Sequence, residues 1–260
     1  MSAFVCLKFD SVSIRIEHND SSPMLSEFIT QHRSHIVDSK SQYSLSLQEK
    51  VDGLHLSWSK ENGKPLNFYI DVLKVVNQLR SYPAPKQGAF NQALGKKSHH
   101  ILDATGGWGG DALLMCTQGY RVSVLERNPI MAMMLQDAMC RLAQSDWAIS
   151  NQINTPKVSH SDAVSYFLNK ESVEGIDCVY LDPMFPPKKK KKAAVNKQMQ
   201  LLQWMVGQDI DADNLVQNAL TAGVPRVAVK RPDYAEPLFR KPFSQFSSKL
   251  VHYDVYLSSK

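Results

Sequence analysis

The stretch HHILDATGGWGGDALLMCTQGYRVSVLE, residues 99–126, decides the fold of this chain. Its residue pattern predicts a strand (99–104), a glycine-rich turn, a helix (110–119) and a second strand (121–126). An Asn-Pro pair at 128–129 then marks the start of another helix. Further strands are expected at 156–160, 176–182, 226–231 and 249–257, and further helices at 162–170 and 193–206. Because such alternation builds a mainly parallel sheet covered by helices, the sequence predicts an α/β fold from about residue 98 onward.

The first half of the chain has a different pattern, in which short segments alternate apolar and polar residues as half-buried strands do. These segments are VSIRIE (12–17), YSLSLQ (43–48) and LHLSWS (54–59), and the polar residues 19–41 between the first two can hold a helix. The best linker candidate is SYPAPKQG (81–88). We therefore expect a small N-terminal α+β domain over residues 1–85 and a Rossmann-like domain over residues 86–260.

Composition restricts the classes of protein that this chain can belong to. Its 260 residues are 43% hydrophobic, which suits one large domain or a domain with a small appendage. Charges interrupt the first twenty residues, and no apolar run reaches the roughly 18 residues that a membrane span needs. We therefore expect a cytoplasmic protein that does not enter a membrane. The four cysteines lack metal-ligand spacing, and the His99-His100 pair directly precedes an apolar strand. We expect reduced thiols and no metal site.

The glycine-rich turn predicts a cofactor site, because ligands bind beyond the carboxyl ends of parallel strands. Four glycines stand within residues 106–110, where a strand gives way to a helix. Glycine lets the backbone approach a ligand, and a helix N-terminus offers N–H groups. Glu126 follows Gly106 by twenty residues, at the end of the next strand, and can accept both hydroxyls of a ribose. Asp103 can hold an ammonium group or orient the turn. Because Glu126 is expected to bind a ribose beside the glycine turn, the cofactor is expected to carry a nucleoside.

Two cofactors fit this turn. Gly107, Gly109 and Ala112 match the dinucleotide fingerprint, and Arg127 beside Glu126 would suit the 2′-phosphate of NADP. S-adenosylmethionine fits equally well, since it carries a ribose without a pyrophosphate. A purely structural turn would leave the carboxylate at position 126 unexplained.

A second strand-end loop is SHSDA, residues 159–163. Asp162 can accept a hydrogen bond from an adenine amino group, and Ser161 is expected to cap the helix that follows. A capping role alone would also account for either residue.

The third strand-end loop, LDPMF at 181–185, favours one of the two cofactors. The amino nitrogen of a nucleobase is a poor nucleophile, because its lone pair is delocalised into the ring. The Asp182 side chain and the Pro183 carbonyl can accept its two hydrogens, and Phe185 can stack on the base. A dehydrogenase has no use for this set, so the loop favours S-adenosylmethionine and a class I methyltransferase sheet. The alternative is a proline-stiffened turn without chemistry.

Positive charge is concentrated in the sequence that follows this loop. The net charge is only +5, but residues 188–197 hold six lysines and no acid. Lysines at a helix N-terminus oppose the helix dipole, so the phosphates of a nucleic acid are the expected partners. The predicted RNA-binding residues are Lys188, Lys189, Lys190, Lys191, Lys192, Lys230 and Arg231. A solvated basic loop is the alternative for the lysine run.

Four segments together resemble the RsmJ family of S-adenosylmethionine-dependent enzymes, which methylate N2 of a guanine in 16S ribosomal RNA. They are LDATGGWGGDA, VLERNP, YLDPMFP and VAVKRPDYAEPL. The resemblance implies a small N-terminal domain packed on a methyltransferase domain, with 16S ribosomal RNA or the small ribosomal subunit as partner. It implies a cofactor site lined by Gly110, Asp111, Glu126, Arg127, Ser161, Asp162 and Asp182. The chain departs from the family at Gly106, Trp108 and Gly110, where the family has Ala, Leu and Arg.

The expected function is therefore guanine-N2 methylation of ribosomal RNA. The same Asp-Pro loop could instead serve adenine N6 or a glutamine amide in a protein. An RNA-binding protein that only senses the cofactor is a further alternative.

Overall fold

A computed structural model describes residues 3–9, 12–18, 22–38, 44–59, 64–79, 81–169, 173–185, 197–206 and 212–258. In these residues the chain forms two β-sheets with helices packed on them. Cys6, Cys116 and Cys178 are buried thiols, and Cys140 is exposed. Within the described ranges no helix is both long and apolar enough to span a bilayer. The same ranges contain no cluster of three or more His, Cys, Asp or Glu side chains arranged to hold a metal ion.

The first sheet is built from the N-terminal segments. Its strands are β1 (Ala3–Phe9), β2 (Val12–His18), β3 (Ile36–Val37), β4 (Leu45–Lys50), β5 (Gly53–Trp58) and β6 (Leu66–Phe68), in the order β3-β1-β2-β4-β5-β6. Two helices accompany them, α1 (Pro23–Gln31) and α2 (Val72–Val76). Helix α1 begins where Ser22 accepts a hydrogen bond from the Leu25 N–H at 3.4 Å. The three predicted strands lie within two residues of β2, β4 and β5, whereas β1 was not predicted.

The second sheet contains the rest of the strands. They are β7 (His100–Asp103), β8 (Arg121–Glu126), β9 (Lys157–His160), β10 (Cys178–Leu181), β11 (Arg226–Pro232), β12 (Ser244–Ser247) and β13 (Val251–Leu257). The helices are α3 (Gly88–Leu94), α4 (Gly110–Thr117), α5 (Pro129–Ala143), α6 (Asp146–Ser150), α7 (Ala163–Leu168), α8 (Lys197–Val206) and α9 (Ala212–Thr221). Asn128 caps α5 and Pro129 is its first residue, as predicted.

The strand order of the second sheet, β12-β13-β11-β10-β7-β8-β9, explains where a ligand can bind. The strands from β9 across to β11 are parallel, and β13 lies antiparallel between β11 and β12. The chain reverses its direction of winding at β7, between β8 and β10. Loops at such a switch point diverge and leave a crevice beyond the strands. The parallel strands and the helices around them confirm the predicted Rossmann-like α/β fold, to which β13 adds one antiparallel strand.

The two sheets share one hydrophobic core, and helix α5 joins them. Asp137 of α5 accepts a hydrogen bond from the Leu54 N–H at 3.1 Å and from Arg141 Nε at 2.9 Å. Arg141 also donates to the Tyr69 hydroxyl at 2.8 Å. Gly53 lies against this pair, and a Cβ there would clash with Arg141 Nε. The chain crosses from one sheet to the other between β6 and β7. The boundary predicted at residue 85 lies in this crossing, and the division into 1–85 and 86–260 stays a prediction.

Candidate active site

A cleft opens beyond the carboxyl ends of β7, β8, β10 and β11, and it consists of two connected cavities. The cavity beside β8, called here the β8 cavity, has a volume of about 540 Å³ with its open mouth included. It is lined by Ala104, Leu125, Glu126, Arg127, Ser161, Asp162, Ala163 and Leu215. The cavity beside β10, the β10 cavity, has about 1260 Å³ with its open mouth included. Its lining comes mainly from residues 106–111, 180–185 and 230–234 and from helix α8. Thr105, Gly107, Asp182, Met184 and Leu202 line both cavities and mark where they meet.

The glycine turn between β7 and α4 forms the wall shared by the cavities. Gly107 and Gly109 have φ angles of +50° and +74°, which other residues rarely adopt. The turn is fastened to β8, because the Gly106 N–H donates to the Leu125 carbonyl at 2.9 Å. Helix α4 begins at Gly110 without a side-chain cap, and a Cβ on Gly110 would meet nothing within 4 Å. The first turn of α4 therefore presents N–H groups to a roomy cleft, as a nucleoside cofactor requires.

Glu126 lies at the end of β8, where ribose recognition was predicted. Its side chain is buried, and its two oxygens accept hydrogen bonds from the N–H groups of Gly107 and Asn128, each at 2.7 Å. Because a carboxylate offers about four acceptor sites, these bonds are compatible with further bonds to ribose hydroxyls. Glu126 thus orients the glycine turn and lines the β8 cavity together with Arg127.

Ser161 and Asp162 line the same cavity, and Asp162 has the capping role that the sequence left open for either residue. The cap of helix α7 is Asp162, whose Oδ1 accepts from the Ser165 N–H at 2.9 Å. Ser161 was expected to be that cap, and this prediction was wrong, because the helix begins one residue later, at Ala163. Asp162 remains exposed beside the cavity and can still accept from an adenine amino group.

Asp182, Pro183 and Phe185 follow β10 and all line the β10 cavity. The Asp182 N–H donates to Thr105 Oγ1 at 2.7 Å, which fixes the backbone of this loop against β7. The Asp182 side chain is 40% exposed, whereas Pro183 is buried and Phe185 is half-buried. A carboxylate therefore stands at the mouth of the cleft on a rigid backbone, where a planar ring can reach it.

An ammonium group connects the two ends of this site. Lys230 Nζ lies 2.8 Å from Asp111 Oδ2 and 2.8 Å from Asp182 Oδ2. The Tyr180 hydroxyl also donates to Asp111 Oδ2, at 2.6 Å. Burial opposes the charge on Lys230, but the carboxylates of Asp182 and Asp111 outweigh burial and raise the pKa of the ammonium. Burial, together with the same two carboxylates, raises the pKa of Tyr180 well above its usual range.

Asp103 lies beneath this cluster at the end of β7 and is only 2% exposed. Burial and the nearby charge of Asp111 raise the pKa of its carboxyl to about 8. Asp103 Oδ1 accepts from the Thr105 N–H at 3.1 Å and from the Thr105 hydroxyl at 3.4 Å. Since Asp103 is mainly neutral at pH 7, its geometry fits the second of its two predicted roles, orientation of the turn.

The residues predicted to bind RNA are placed differently from one another. Lys188 to Lys192 lie outside the described residues. Arg231 is 6% exposed, and its Nε pairs with Asp254, which is itself fully buried. This guanidinium cannot reach a phosphate without leaving its buried partner, so we remove Arg231 from the proposed RNA-binding set. Lys230 is held by two carboxylates inside the cleft, and its contact with RNA stays a prediction.

Several residues of the site were not identified from the sequence. The Thr105 hydroxyl accepts from the Asp182 N–H, and the Tyr180 hydroxyl donates to the Asp111 carboxylate. The sequence feature that could have identified both residues is a hydroxyl side chain close to the end of a strand. Trp108, which also lines the β10 cavity, stacks on Phe68 with 5.7 Å between ring centroids, and its Nε1–H donates to the Gln198 carbonyl at 3.2 Å. The glycine turn is thereby linked to the first sheet and to α8.

Comparisons with known proteins agree with this geometry. Residues 29–258 match the model of a family described as "Putative SAM-dependent methyltransferase". A crystal structure of a SAM-dependent methyltransferase from Neisseria gonorrhoeae has the same fold, with a TM-score of 0.66 over 94% of this chain and 95% of that chain at 22% identity. The class that the sheet and the cleft define is therefore the S-adenosylmethionine-dependent methyltransferases, and S-adenosylmethionine is the methyl donor.

Sequence relatives identify the family within this class. Ribosomal RNA small subunit methyltransferase J of Histophilus somni strain 129Pt is 36% identical over 231 residues, which cover 86% of this chain and 90% of the relative. The proteins of the same name from Vibrio vulnificus strain YJ016 and Legionella pneumophila strain Corby are 40% and 34% identical. They cover 82% and 83% of this chain and 95% and 88% of their own lengths. The chain belongs to the ribosomal RNA small subunit methyltransferase J family, which confirms the resemblance seen in its sequence.

Proposed function

We propose that this protein methylates the N2 amino group of a guanosine in the 16S ribosomal RNA of the small ribosomal subunit. The observation that carries the proposal is the Asp182-Pro183 pair at the mouth of a cofactor cleft, in a chain of this family. A ribosomal substrate also implies that the protein acts in the cytoplasm.

The proposed cofactor site follows the walls of the two cavities. Glu126 accepts from the ribose, Asp162 accepts from the adenine amino group, and the backbone around Gly107, Gly109 and Gly110 faces the methionine part. Asp103 supports the turn from below, while Asp111, Arg127 and Ser161 complete the lining. When bound, S-adenosylmethionine supplies a methyl group activated by a sulfonium.

The proposed base site lies at the mouth of the β10 cavity. The Asp182 carboxylate and the Pro183 carbonyl accept the two hydrogens of the guanine amino group and so direct its lone pair into the cleft. Phe185 provides an apolar face for the ring. Orientation and exclusion of water supply the rate enhancement, and Asp182 is placed to take the proton that N2 releases. The target guanine has to be unpaired or flipped out to reach this depth.

The test is a transfer assay with methyl-labelled S-adenosylmethionine. Purified protein is incubated in parallel with bare 16S ribosomal RNA, with small subunits that lack the modification and with total cell protein. We expect label in one of the first two substrates, and N2-methylguanosine after digestion to nucleosides. Label in N6-methyladenosine or in protein would replace the proposed acceptor. Cofactor binding without any transfer would leave an RNA-binding protein that senses the cofactor.

The five-lysine run is proposed to bind phosphates of the ribosomal RNA. The run begins three residues after Phe185 in the sequence. Charge of one sign in a short segment produces a binding constant that falls steeply with salt.

A further inference from the structure

The contacts of Lys230 suggest a role that differs from RNA binding. Its ammonium is shared between a carboxylate in the cofactor part of the cleft, Asp111, and the carboxylate proposed to hold the base, Asp182. The Lys230 side chain is 25% exposed, so most of it lies inside the cleft. Two nearly equal contacts of 2.8 Å satisfy its charge within the protein.

The bridge is a consequence of the fold. The parallel register that pairs Leu181 of β10 with Val229 of β11 brings the next residues, Asp182 and Lys230, side by side. Helix α4 supplies Asp111 from the other wall, and the Tyr180 hydroxyl holds that carboxylate at 2.6 Å. One ammonium therefore connects three separate segments at the point where the cofactor and the base have to meet.

We propose that Lys230 is a positioning residue for methyl transfer, which fixes the direction of the Asp182 carboxylate. The inference rests on the proposed function of Asp182. With Oδ2 held by the ammonium and the Asp182 backbone held by Thr105, the carboxylate has a defined orientation toward the base site. Without the ammonium, Asp182 Oδ2 would lose the donor that fixes its direction, and the carboxylate could rotate away from the amino group. Asp111 and Asp182 would also face each other as two like charges, which lowers the stability of the fold.

The experiment compares three purified variants with the wild type in the labelled-donor assay on unmodified small subunits. Lys230→Met removes the charge at similar length, and Lys230→Arg keeps it. Lys157→Met is the matched control, because Lys157 is exposed at the amino end of β9, opposite the cleft. The measurements are kcat and KM for the subunit at saturating S-adenosylmethionine, and the salt dependence of subunit binding.

A positioning role predicts a loss in kcat of about 100-fold for Lys230→Met, the size expected from misplacing a reacting group by about 1 Å. KM for the subunit and the salt slope should stay within about twofold, since no phosphate contact is lost. Lys230→Arg should recover kcat to within about tenfold of the wild type, and Lys157→Met should equal the wild type. An unchanged kcat with a raised KM and a shallower salt slope would overturn the proposal and make Lys230 a phosphate ligand.

A second variant keeps the test decisive if Lys230→Met alone does not fold. Adding Asp111→Asn removes the like charge and should restore folding, with kcat still reduced. Recovery of the wild-type kcat by that pair would reject positioning, because Asp182 would then act without its ammonium. The substrate is tested separately by the wild-type protein. Failure of the wild type to methylate subunits or RNA would reject the proposed function itself.

Discussion

The neutral carboxyl of Asp103 makes a quantitative prediction about stability. Burial, with Asp111 nearby, raises its pKa from 3.8 to about 8 in the folded protein. Between these two values the unfolded chain has released a proton that the folded protein still holds. The free energy of unfolding therefore falls as the pH rises from about 4 to about 8. We expect Asp103→Asn to lose this dependence, because the amide carries no charge and its oxygen can still accept from the Thr105 N–H.

The size of the effect follows from the two pKa values. Each unit of difference corresponds to about 1.4 kcal/mol. Relative to the wild type, the free energy of unfolding of the variant should be higher by on the order of 2 kcal/mol at pH 5, about 4 kcal/mol at pH 7 and about 6 kcal/mol at pH 9. A change in hydrogen bonding would add an offset that is the same at every pH. The slope of the difference against pH is therefore the quantity to measure.

Urea unfolding followed by circular dichroism, without cofactor, measures this slope at the three pH values. Titrating groups shared by both proteins cancel in the difference. Asp213→Asn is the matched control, because Asp213 is exposed in the first turn of α9 and its replacement should shift stability by a few tenths of a kcal/mol at every pH. Parallel curves for the wild type and Asp103→Asn would refute the reasoning and show that Asp103 is ionised in the folded protein.

Three further predictions concern the site, the joint between the sheets and the basic run. Asp182→Ala should abolish transfer while the Kd for S-adenosylmethionine, measured by calorimetry, stays within about tenfold (roughly 1.4 kcal/mol); normal turnover would contradict its role. Arg141→Met leaves the buried Asp137 carboxylate without its cation, so the free energy of unfolding measured with urea should fall by roughly 3 kcal/mol. The control Arg121→Met, at an exposed position, should change it by less than about 0.5 kcal/mol. Replacing Lys188 to Lys192 by Ala should weaken RNA binding and flatten its dependence on salt in a filter-binding assay; an unchanged slope would make the run solvated surface.

The parts of the fold that the sequence predicted are those with local signals. Strand β8 has the bounds predicted for it, and α5 begins at the predicted Asn-Pro pair. The elements without a predicted counterpart are the strands β1, β3, β6 and β12 and the helices α2, α3, α6 and α9. The position of β13 between β11 and β12, antiparallel to both, depends on pairing between distant segments, which residue periodicity cannot reveal.

The residues of the candidate site also divide into those that the sequence identified and those that it did not. Glu126 and Asp182 were identified because a carboxylate directly after a strand lies at the ligand-binding edge of a parallel sheet. The carboxylate partners of Lys230 and Arg231 were not predicted, because adjacent residues of a strand point to opposite faces and each face supplied its own carboxylate. A basic pair in the sequence indicates charge but not the partner that neutralises it.

The sequence by itself determined the alternation of strands and helices, the glycine turn and the carboxylates at the strand ends, since these follow from preferences of the local backbone. Only the tertiary structure decided that Lys230 is bound by two acids, that Arg231 is buried and that Asp103 is neutral. The two partners of Lys230 lie 119 and 48 positions away along the chain. Charge state and pairing depend on burial and on neighbours that only the packed sheet brings together.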